Sequence, residues 1–323
     1  MKEKTTLQIN LSPGDISYAY QTVPPLITAH ENNVSNILLV VDCCRPQKTK
    51  LVNPKIKFPK TKFKKNIKKI VKISEDIASK KKSVNVFKLN KKSKIIDHIS
   101  KKYLSGIVSK THAFGGTALM SYFAGLEIPK SRYIIHYDGD MILHQKKGYD
   151  WSVEANEIMN SQPNAIAATP RISPPFAGKR SMGDAPSVHP GRMLTPTLGG
   201  WKNDWFSTRC FLIDKSKLDK YLPLIQRKEL LRTLFWKMIK HRYPRDPEIM
   251  LFRRIGPSGG WRLNLSSKKA WLLHPNNKSD TFLRLLPKIQ RLVSRGEVPN
   301  EQRGHADIHV EAWERFIKQK GLR

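Results

Sequence analysis

Two aspartates separated by one glycine are the residues best suited to chemistry in this 323-residue chain. Asp138, Gly139 and Asp140 follow an apolar segment that begins at Tyr133 and has the composition of a buried parallel strand. Ligands bind at the carboxyl ends of such strands. Carboxylates two residues apart in extended backbone project to the same side, and together they suit Mg²⁺ or Mn²⁺. Gly139 permits a tight turn and the close approach of a phosphate.

The same three residues are also common in simple turns, which is the structural alternative. Carboxylates at the mouth of a core strand need partners, because an unpaired charge near a core is costly. The apolar strand before Asp138 therefore favours a metal site over a turn.

The elements that must position these acids alternate between strand and helix patterns, which predicts an α/β fold. The first 42 residues read β-α-β and predict a parallel pair of strands with a right-handed crossover. Pro24 and Pro25 should kink or restart the first helix. Strands are expected at residues 5–11, 37–41, 83–89, 133–138, 165–169, 206–213, 260–263 and 270–273.

Two further segments have a pattern that bears on function. The loop at residues 111–117 contains Gly115 and Gly116 and opens into a helix, so its backbone N–H groups could face an anion, although a glycine pair is more often only a turn. Residues 171–200 are rich in Pro, Gly and Ser and lack periodicity, which is typical of a functional or disordered loop.

The net charge of +33 is concentrated in one part of the chain. Residues 48–102 contain 20 Lys, no Arg and three acidic residues. Lysine without arginine and with few aromatic rings is typical of a solvated surface, although it can attract anionic lipid or nucleic acid. Residues 48–82 are expected to be dispensable for chemistry and, if functional, to tether the protein to anionic lipid.

Cellular location follows from composition as an expectation. The three cysteines have no metal-ligand spacing and indicate a reducing compartment. The N-terminus lacks a secretory apolar core, and the apolar run at residues 37–41 is too short to span a bilayer. We expect a cytoplasmic protein that is soluble or peripheral at the membrane.

Taken in order, these residues resemble the GT-A fold of nucleotide-diphospho-sugar glycosyltransferases, particularly the family-2-like group, over about residues 5–275. The resemblance implies a Rossmann-like, mostly parallel sheet flanked by helices. It divides the chain into a GT-A domain at 1–275, with a lysine-rich insertion at about 48–82, and a C-terminal helical extension at 276–323. Asp138 and Asp140 resemble the family's DxD motif, whose carboxylates hold Mn²⁺ or Mg²⁺ on the donor diphosphate.

The resemblance also assigns residues to donor and metal binding. Asp42, at the end of the second strand, is similar to the acid that contacts the nucleotide base, with a strand-end turn as its alternative role. His274 resembles the late histidine that completes the metal site, with surface packing as its alternative. The remaining residues assigned to the nucleotide sugar are Ser12, Asp15, Gly115, Gly116 and Asp138.

The catalytic base is left open between two acids. Residues 246–255 predict a helix with Asp246 as N-cap and Pro247 in its first turn. The segment is similar to the acidic helix start that carries the base of inverting members, but Arg245 replaces the usual glutamate. The base is therefore either Asp246 or Glu248, and capping is the alternative role for Asp246.

The implied activity is hexosyltransferase-type: transfer of a sugar from a UDP-, GDP- or TDP-sugar to a saccharide or lipid-linked acceptor hydroxyl, with inversion and a divalent metal. Acceptor specificity is expected in residues 171–204. A sugar-phosphate nucleotidylyltransferase is one alternative, but residues 12–15 lack the Gly-x-Gly-Thr-Arg signature of that group. A basic nucleic-acid-binding protein is another; it would explain the charge but not Asp138 and Asp140, so no specific nucleic acid is expected.

Overall fold

The computed structural model describes residues 4–81, 83–176 and 195–322. Within these ranges nine strands form one sheet in the order β3-β2-β1-β4-β9-β6-β10-β8-β7, and β5 pairs separately with β11. The strands are β1 (Thr5–Leu11), β2 (Asn36–Asp42), β3 (Val84–Leu89), β4 (Tyr133–Asp138), β5 (Ile142–Gln145), β6 (Ala165–Thr169), β7 (Thr195–Thr197), β8 (Gly200–Asn203), β9 (Cys210–Asp214), β10 (Trp261–Leu265) and β11 (Ala270–Leu273).

Helices connect these strands and cover both faces of the large sheet. They are α1 (Ala19–His30), α2 (Pro54–Lys57), α3 (Lys60–Ser79), α4 (Ile95–Leu104), α5 (Met120–Glu127), α6 (Trp151–Ser161), α7 (Lys215–Leu218), α8 (Lys228–Met238), α9 (Pro247–Ile255), α10 (Asp280–Ser294) and α11 (Val310–Gln319). Apolar side chains of α1, α3 and α6 pack on one face of the sheet, and those of α4, α5 and α9 on the other. This is the predicted α/β class.

The sheet is mostly parallel, as the alternating pattern predicts. β1 pairs in parallel with both β2 and β4, β2 with β3, and β6 with β10. The antiparallel β9 lies between β4 and β6. Because β1 lies between β2 and β4, the chain order reverses at β1, and a crevice forms at the carboxyl ends of these strands.

Two local features differ from the prediction. α1 continues through Pro24 and Pro25 instead of restarting, since its buried side chains, among them Val23 and Ile27, pack on the sheet. The strand predicted at 206–213 begins only at Cys210. After β9 the chain forms only a short turn of helix, α7, followed by a 3₁₀ turn.

The C-terminal helices pack against the small β5–β11 sheet. Tyr18, Ile142 and Trp271 share one buried apolar cluster with side chains of α10 and α11. His274 also forms an isolated β-bridge with Asp307. The segment predicted as an extension therefore contributes to the same packed body as the strands.

None of the described helices is both long and apolar enough to cross a bilayer. Cys43, Cys44 and Cys210 are all free thiols. Of the loop predicted at 171–200, residues 177–194 lie outside the described ranges.

Candidate active site

The loops after β1, β2 and β4 meet at the point where the strand order reverses. They bring Ser12, Asp15, Asp42, Asp138 and Asp140 to the wall of one cavity of about 190 Å³. These residues are far apart in the sequence, but parallel strands deliver their carboxyl ends to the same edge of a sheet. The structure thus gathers most of the residues that the sequence assigned to the donor.

Asp138 ends β4 and is held from two neighbouring elements. The Tyr122 hydroxyl of α5 lies 2.6 and 2.8 Å from the two carboxylate oxygens. His136 Nε2 lies 3.4 Å from Asp138 Oδ1. Burial, and then the negative charge of Asp138, hold the pKa of Tyr122 well above its usual value, so the phenol stays a proton donor to the carboxylate.

Asp140 is almost fully buried and carries a cationic partner from the C-terminal part of the chain. Lys278 Nζ lies 2.6 Å from Asp140 Oδ2, and His274 Nε2 lies 3.6 Å from the same oxygen. Asp140 Oδ1 is buried and has no hydrogen-bond partner among the described residues. Asp307 Oδ1 lies 3.1 Å from His274 Nδ1, which orients the imidazole with Nε2 toward Asp140.

Asp15 lies beside Asp140 and links the first loop to the same cluster. It accepts a hydrogen bond of 2.6 Å from the Ser12 backbone N–H and another from the Tyr18 hydroxyl. Burial, reinforced by the nearby charge of Asp140, raises the pKa of Asp15 to about 6. Lys278 Nζ donates to the Tyr18 oxygen at 2.8 Å, so one ammonium contacts both Asp140 and Tyr18.

Asp42 is buried at the end of β2 with half of its carboxylate unpaired. Oδ1 accepts a 2.8 Å hydrogen bond from the Cys44 backbone N–H. Within the described ranges Oδ2 has no hydrogen-bond partner; His112 Nε2 lies 3.6 Å from it. Burial raises the pKa of Asp42 to about 7, and burial lowers the pKa of His112 to about 4. Such an unpartnered carboxyl oxygen suits a ligand that donates a hydrogen bond.

A second cavity, of about 320 Å³, continues from Ser12 and Asp42. One of its walls comes from the lysine-rich segment, with Lys57, Phe58, Lys62 and other side chains of α2 and α3. The Phe58 and Phe63 rings form an edge-to-face pair with centroids 6.2 Å apart. The other residues that line it are Pro13, Gly14, Cys44, Pro46, Pro59, Phe63, Asn66, His112, Gly116 and Ala118.

The two glycines of the 111–117 loop differ in their positions relative to these cavities. Gly116 lines this second cavity and has φ +91°, a left-handed conformation that favours glycine. Gly115 is not among the described residues that line either of these cavities. α5 begins only at Met120, so the glycines precede the helix by a short turn.

A third cavity, of about 420 Å³, lies on the other side of His274. It is lined by Glu248, Arg262, Arg209 and Asp307 together with apolar side chains. Glu248 Oε1 accepts hydrogen bonds from the Thr208 backbone N–H at 2.8 Å and from its hydroxyl at 3.2 Å. Burial lowers the pKa of Arg262 to about 10.

The two candidate bases, Asp246 and Glu248, lie at the start of α9 but differ in their surroundings. Glu248 faces the third cavity, whereas Asp246 is absent from the described residues that line it. Asp246 holds the predicted N-cap position of α9, but its side chain makes no capping hydrogen bond. The Thr208 side chain that contacts Glu248 also contacts the Tyr122 hydroxyl, so Glu248 is linked through Tyr122 to Asp138.

The carboxylate oxygens of Asp138 and Asp140 suit a hard divalent cation, and Asp140 Oδ1 is buried with no hydrogen-bond partner among the described residues. The His274 imidazole, 3.6 Å from Asp140 Oδ2, is a softer ligand than Mg²⁺ prefers. Protein groups already contact both acids, however: Lys278 on Asp140 and Tyr122 on Asp138. Across the described ranges no three His, Cys, Asp or Glu side chains gather as a metal-binding group. A cation that binds here would meet the positive charge of Lys278, which lies on Asp140 Oδ2, whereas Oδ1 has no hydrogen-bond partner among the described residues.

Sequence reasoning missed several residues of this site. Lys278 and Asp307 lie in the segment assigned to the extension, and Tyr122 lies within α5, where no site residue was predicted. For Lys278, its position four residues after His274 was the one feature of the sequence that could have linked it to the site. Phe58 and Lys62 were not assigned to the site, because the lysine content of their segment indicated a solvated surface.

Comparison with known proteins gives remote structural matches only. No family model and no curated protein matches the sequence. An active-site mutant of LgtC aligns at 9% identity and a TM-score of 0.40, over 93% of this chain and 99% of that one. The galactosyltransferase LgtC in complex with donor and acceptor sugar analogues aligns at 10% identity and a TM-score of 0.33, over 93% and 99%.

A further match is the bifunctional glycosyltransferase WbbM in its apo form, at 8% identity and a TM-score of 0.36, over 92% of this chain and 52% of that one. These neighbours are glycosyltransferases. Similarity at this level leaves the activity of the present chain to be inferred from its own residues, and its likeness to the family-2-like group stays a prediction.

Proposed function

We propose that this protein is a glycosyltransferase that transfers a sugar from a nucleotide-diphosphate donor to an acceptor hydroxyl with inversion, using Mn²⁺ or Mg²⁺. The observation that carries the proposal is the position of Asp138 and Asp140 at the strand reversal, with one set of cavities on the β1–β2 side and another beyond His274. A two-substrate transfer requires two such sites on either side of the reacting centre.

The donor occupies the β1–β2 side. The cavity between Phe58 and Asp42 accepts a nucleoside, because it offers an aromatic wall and a buried carboxyl oxygen without a partner. The adjoining cavity at Asp15, Asp138 and Asp140 accepts the diphosphate. Lys278 supplies positive charge at this point, within reach of Asp140.

The metal would be held by Asp138, Asp140 and His274. When bound, it offsets the negative charge that develops on the leaving diphosphate. The protein's own part is to hold the Asp138 carboxylate in place through Tyr122 and to orient His274 through Asp307. A bound cation would compete with Lys278 for Asp140, and an ammonium released in this way would be available to the diphosphate.

The acceptor occupies the cavity beyond His274, and Glu248 takes the proton of its hydroxyl. Glu248 is aimed by two hydrogen bonds from Thr208, so a carboxylate oxygen is held at the cavity wall. Such a carboxylate can act as a general base when an acceptor hydroxyl approaches within hydrogen-bond distance. Arg262 and Arg209 in the same wall suit a polar, saccharide-like acceptor.

Calorimetry with UDP, GDP and TDP tests this function, each nucleotide being measured with Mn²⁺ and with EDTA. We expect one nucleotide to bind with Mn²⁺ and to lose affinity in EDTA. The variant Asp140→Asn should behave in Mn²⁺ as the native protein does in EDTA, because it removes a carboxylate charge from the metal site. Asp97→Asn, at an exposed position of α4, is the matched control and should bind normally.

Two results would contradict the proposal in different ways. Equal nucleotide affinity in Mn²⁺ and in EDTA would contradict the metal dependence but leave the proposal of a nucleotide-sugar donor intact. Absence of binding for all three nucleotides, together with steeply salt-dependent binding of random RNA, would favour the nucleic-acid alternative.

A further inference from the structure

Helix α8 presents its apolar face to solvent. Leu231, Leu234, Phe235 and Met238 recur at the spacing of one helical face, and they are 70%, 42%, 53% and 72% exposed. Ile239, just after the helix, is 44% exposed. Of the ten large hydrophobic residues exposed in the described part of the chain, five lie in this one segment. Exposed apolar residues scattered singly need no explanation, whereas a contiguous patch marks an interaction surface.

The orientation of α8 is set by its other face. Thr233 is buried, and Leu230 and Trp236 pack against the core cluster beneath α9. Glu229 receives a 3.0 Å hydrogen bond from Arg253 of α9, and the Arg245 guanidinium lies 3.5 Å from the centre of the Trp236 ring. These contacts hold the helix with its apolar stripe outward.

The surroundings of the stripe are cationic. The single acid of residues 226–245 is Glu229, which is engaged by Arg232, Arg245 and Arg253. A second copy of the chain would bring the same cations against this face, so self-association is opposed by charge. The exposed cations of the segment are Arg227, Lys228, Arg232, Lys237, Lys240 and Arg242.

We propose that α8 docks the protein on an anionic lipid bilayer. An interfacial helix of this kind inserts Leu and Phe side chains into the boundary between head groups and acyl chains, while its Lys and Arg contact lipid phosphates. Leu231, Phe235 and Met238 are the inserting side chains. The assignment does not depend on the catalytic activity of the protein.

The docked helix would lie close to the donor side of the cleft. Directly after α8, the His241 ring lies 6.0 Å from that of Phe114, and the Phe114 backbone N–H donates to Pro244 O at 2.7 Å. Phe114 belongs to the loop that supplies His112 and Gly116 to the nucleoside cavity. The bilayer would therefore be one loop away from the site.

Flotation of the full-length protein with phosphatidylcholine vesicles, with and without phosphatidylglycerol, tests the proposal. We expect binding to the anionic vesicles and weak binding to the neutral ones. The double variant Phe235→Ser/Met238→Ser, and separately Lys237→Glu/Lys240→Glu, should each lower binding to anionic vesicles by roughly tenfold or more. All four positions are exposed, so folding is preserved, and circular dichroism melting checks this.

Matched controls lie elsewhere on the chain. Leu51→Ser changes an apolar residue that is 67% exposed, and Lys64→Glu/Lys68→Glu reverses two exposed lysines of α3. Both should bind vesicles like the native protein. Equal losses in the α3 and α8 charge pairs, unchanged binding of Phe235→Ser/Met238→Ser, or equal binding to neutral vesicles would overturn the proposal. So would a dimer in sedimentation velocity that the α8 variants convert to monomer, without any vesicle binding.

Discussion

At the scale of single residues, two acids of one helix differ in their position relative to the cavity proposed for the acceptor. Glu248 lies in the wall of the cavity beyond His274 and is fixed by Thr208, while Asp246 is at the helix start and outside that wall. The sequence left the base open between these two acids, although the resembling family has its base at the helix start, where Asp246 lies. Two residues along a helix point in different directions, so a choice between them needs the helix to be oriented.

We expect Glu248→Gln to lower turnover by about 10²–10⁴ with nucleotide affinity little changed, since it removes only the proton acceptor. Glutamine keeps an oxygen for the Thr208 hydrogen bonds, so the local fold is preserved. Single-turnover assays and calorimetry on the same preparations measure the two quantities. Asp246→Asn is the matched variant and should turn over normally; the reverse pattern would return the base to Asp246.

At the scale of elements, the lysine-rich segment contributes a wall of the second cavity, the one proposed for the nucleoside. Phe58 and Lys62 face Asp42 across this cavity, and α3 packs on the sheet through Ile70, Ile73 and Ile77. The segment is thus folded against the domain at the proposed donor site. The expectation that residues 48–82 are dispensable for chemistry remains untested, and this geometry predicts the opposite outcome for nucleotide binding.

We expect Phe58→Ala to weaken nucleoside diphosphate binding by roughly tenfold, since base–aromatic contacts contribute about 1–3 kcal/mol. Lys62→Ala should weaken it through the lost charge. Lys65→Ala, exposed on the same helix but outside the cavity lining, is the control. Calorimetry on the three variants at one salt concentration measures the effects. Normal affinity in both Phe58→Ala and Lys62→Ala would restore the prediction that the segment is dispensable.

At the scale of the whole molecule, the C-terminal segment completes both the core and the site. It covers Tyr18, Ile142 and Trp271, and it carries Lys278 and Asp307 to Asp140 and His274. Burial of each large apolar side chain contributes about 1.5–3 kcal/mol, and a domain has only about 5–15 kcal/mol of net stability. Loss of this segment should therefore lower the free energy of unfolding of the whole protein.

We expect a chain that lacks residues 276–323 to be unfolded or strongly destabilised in thermal melts, because the shared apolar cluster is exposed. Lys318→Ala, at an exposed position of α11, is the control and should leave the melt unchanged. Lys278→Ala in the full chain separates the two roles of the segment: it should keep the fold and lower nucleotide affinity. A truncated chain that melts like the full-length protein would show that 276–323 is a separate extension.

The sequence by itself determined the class of fold and the centre of the site. Alternating strand and helix periods specify a parallel sheet, because burial on both faces demands continuous apolar strands, and acids directly after such strands must lie at one edge. Asp138 and Asp140 were predicted on this ground, whereas Ser12 and Asp42 were assigned through the resemblance to the GT-A fold; all four line one cavity.

Only the tertiary structure decided which residues from distant segments join that centre. The partners Lys278, Asp307 and Tyr122 are polar or amphipathic residues whose local sequence has no distinguishing pattern, and α10 must pack on β5 and β11 before Lys278 can reach Asp140. The outward face of α8 was equally hidden. A helical period shows that an apolar stripe exists, but which side the stripe faces depends on the surfaces that the rest of the chain leaves for it.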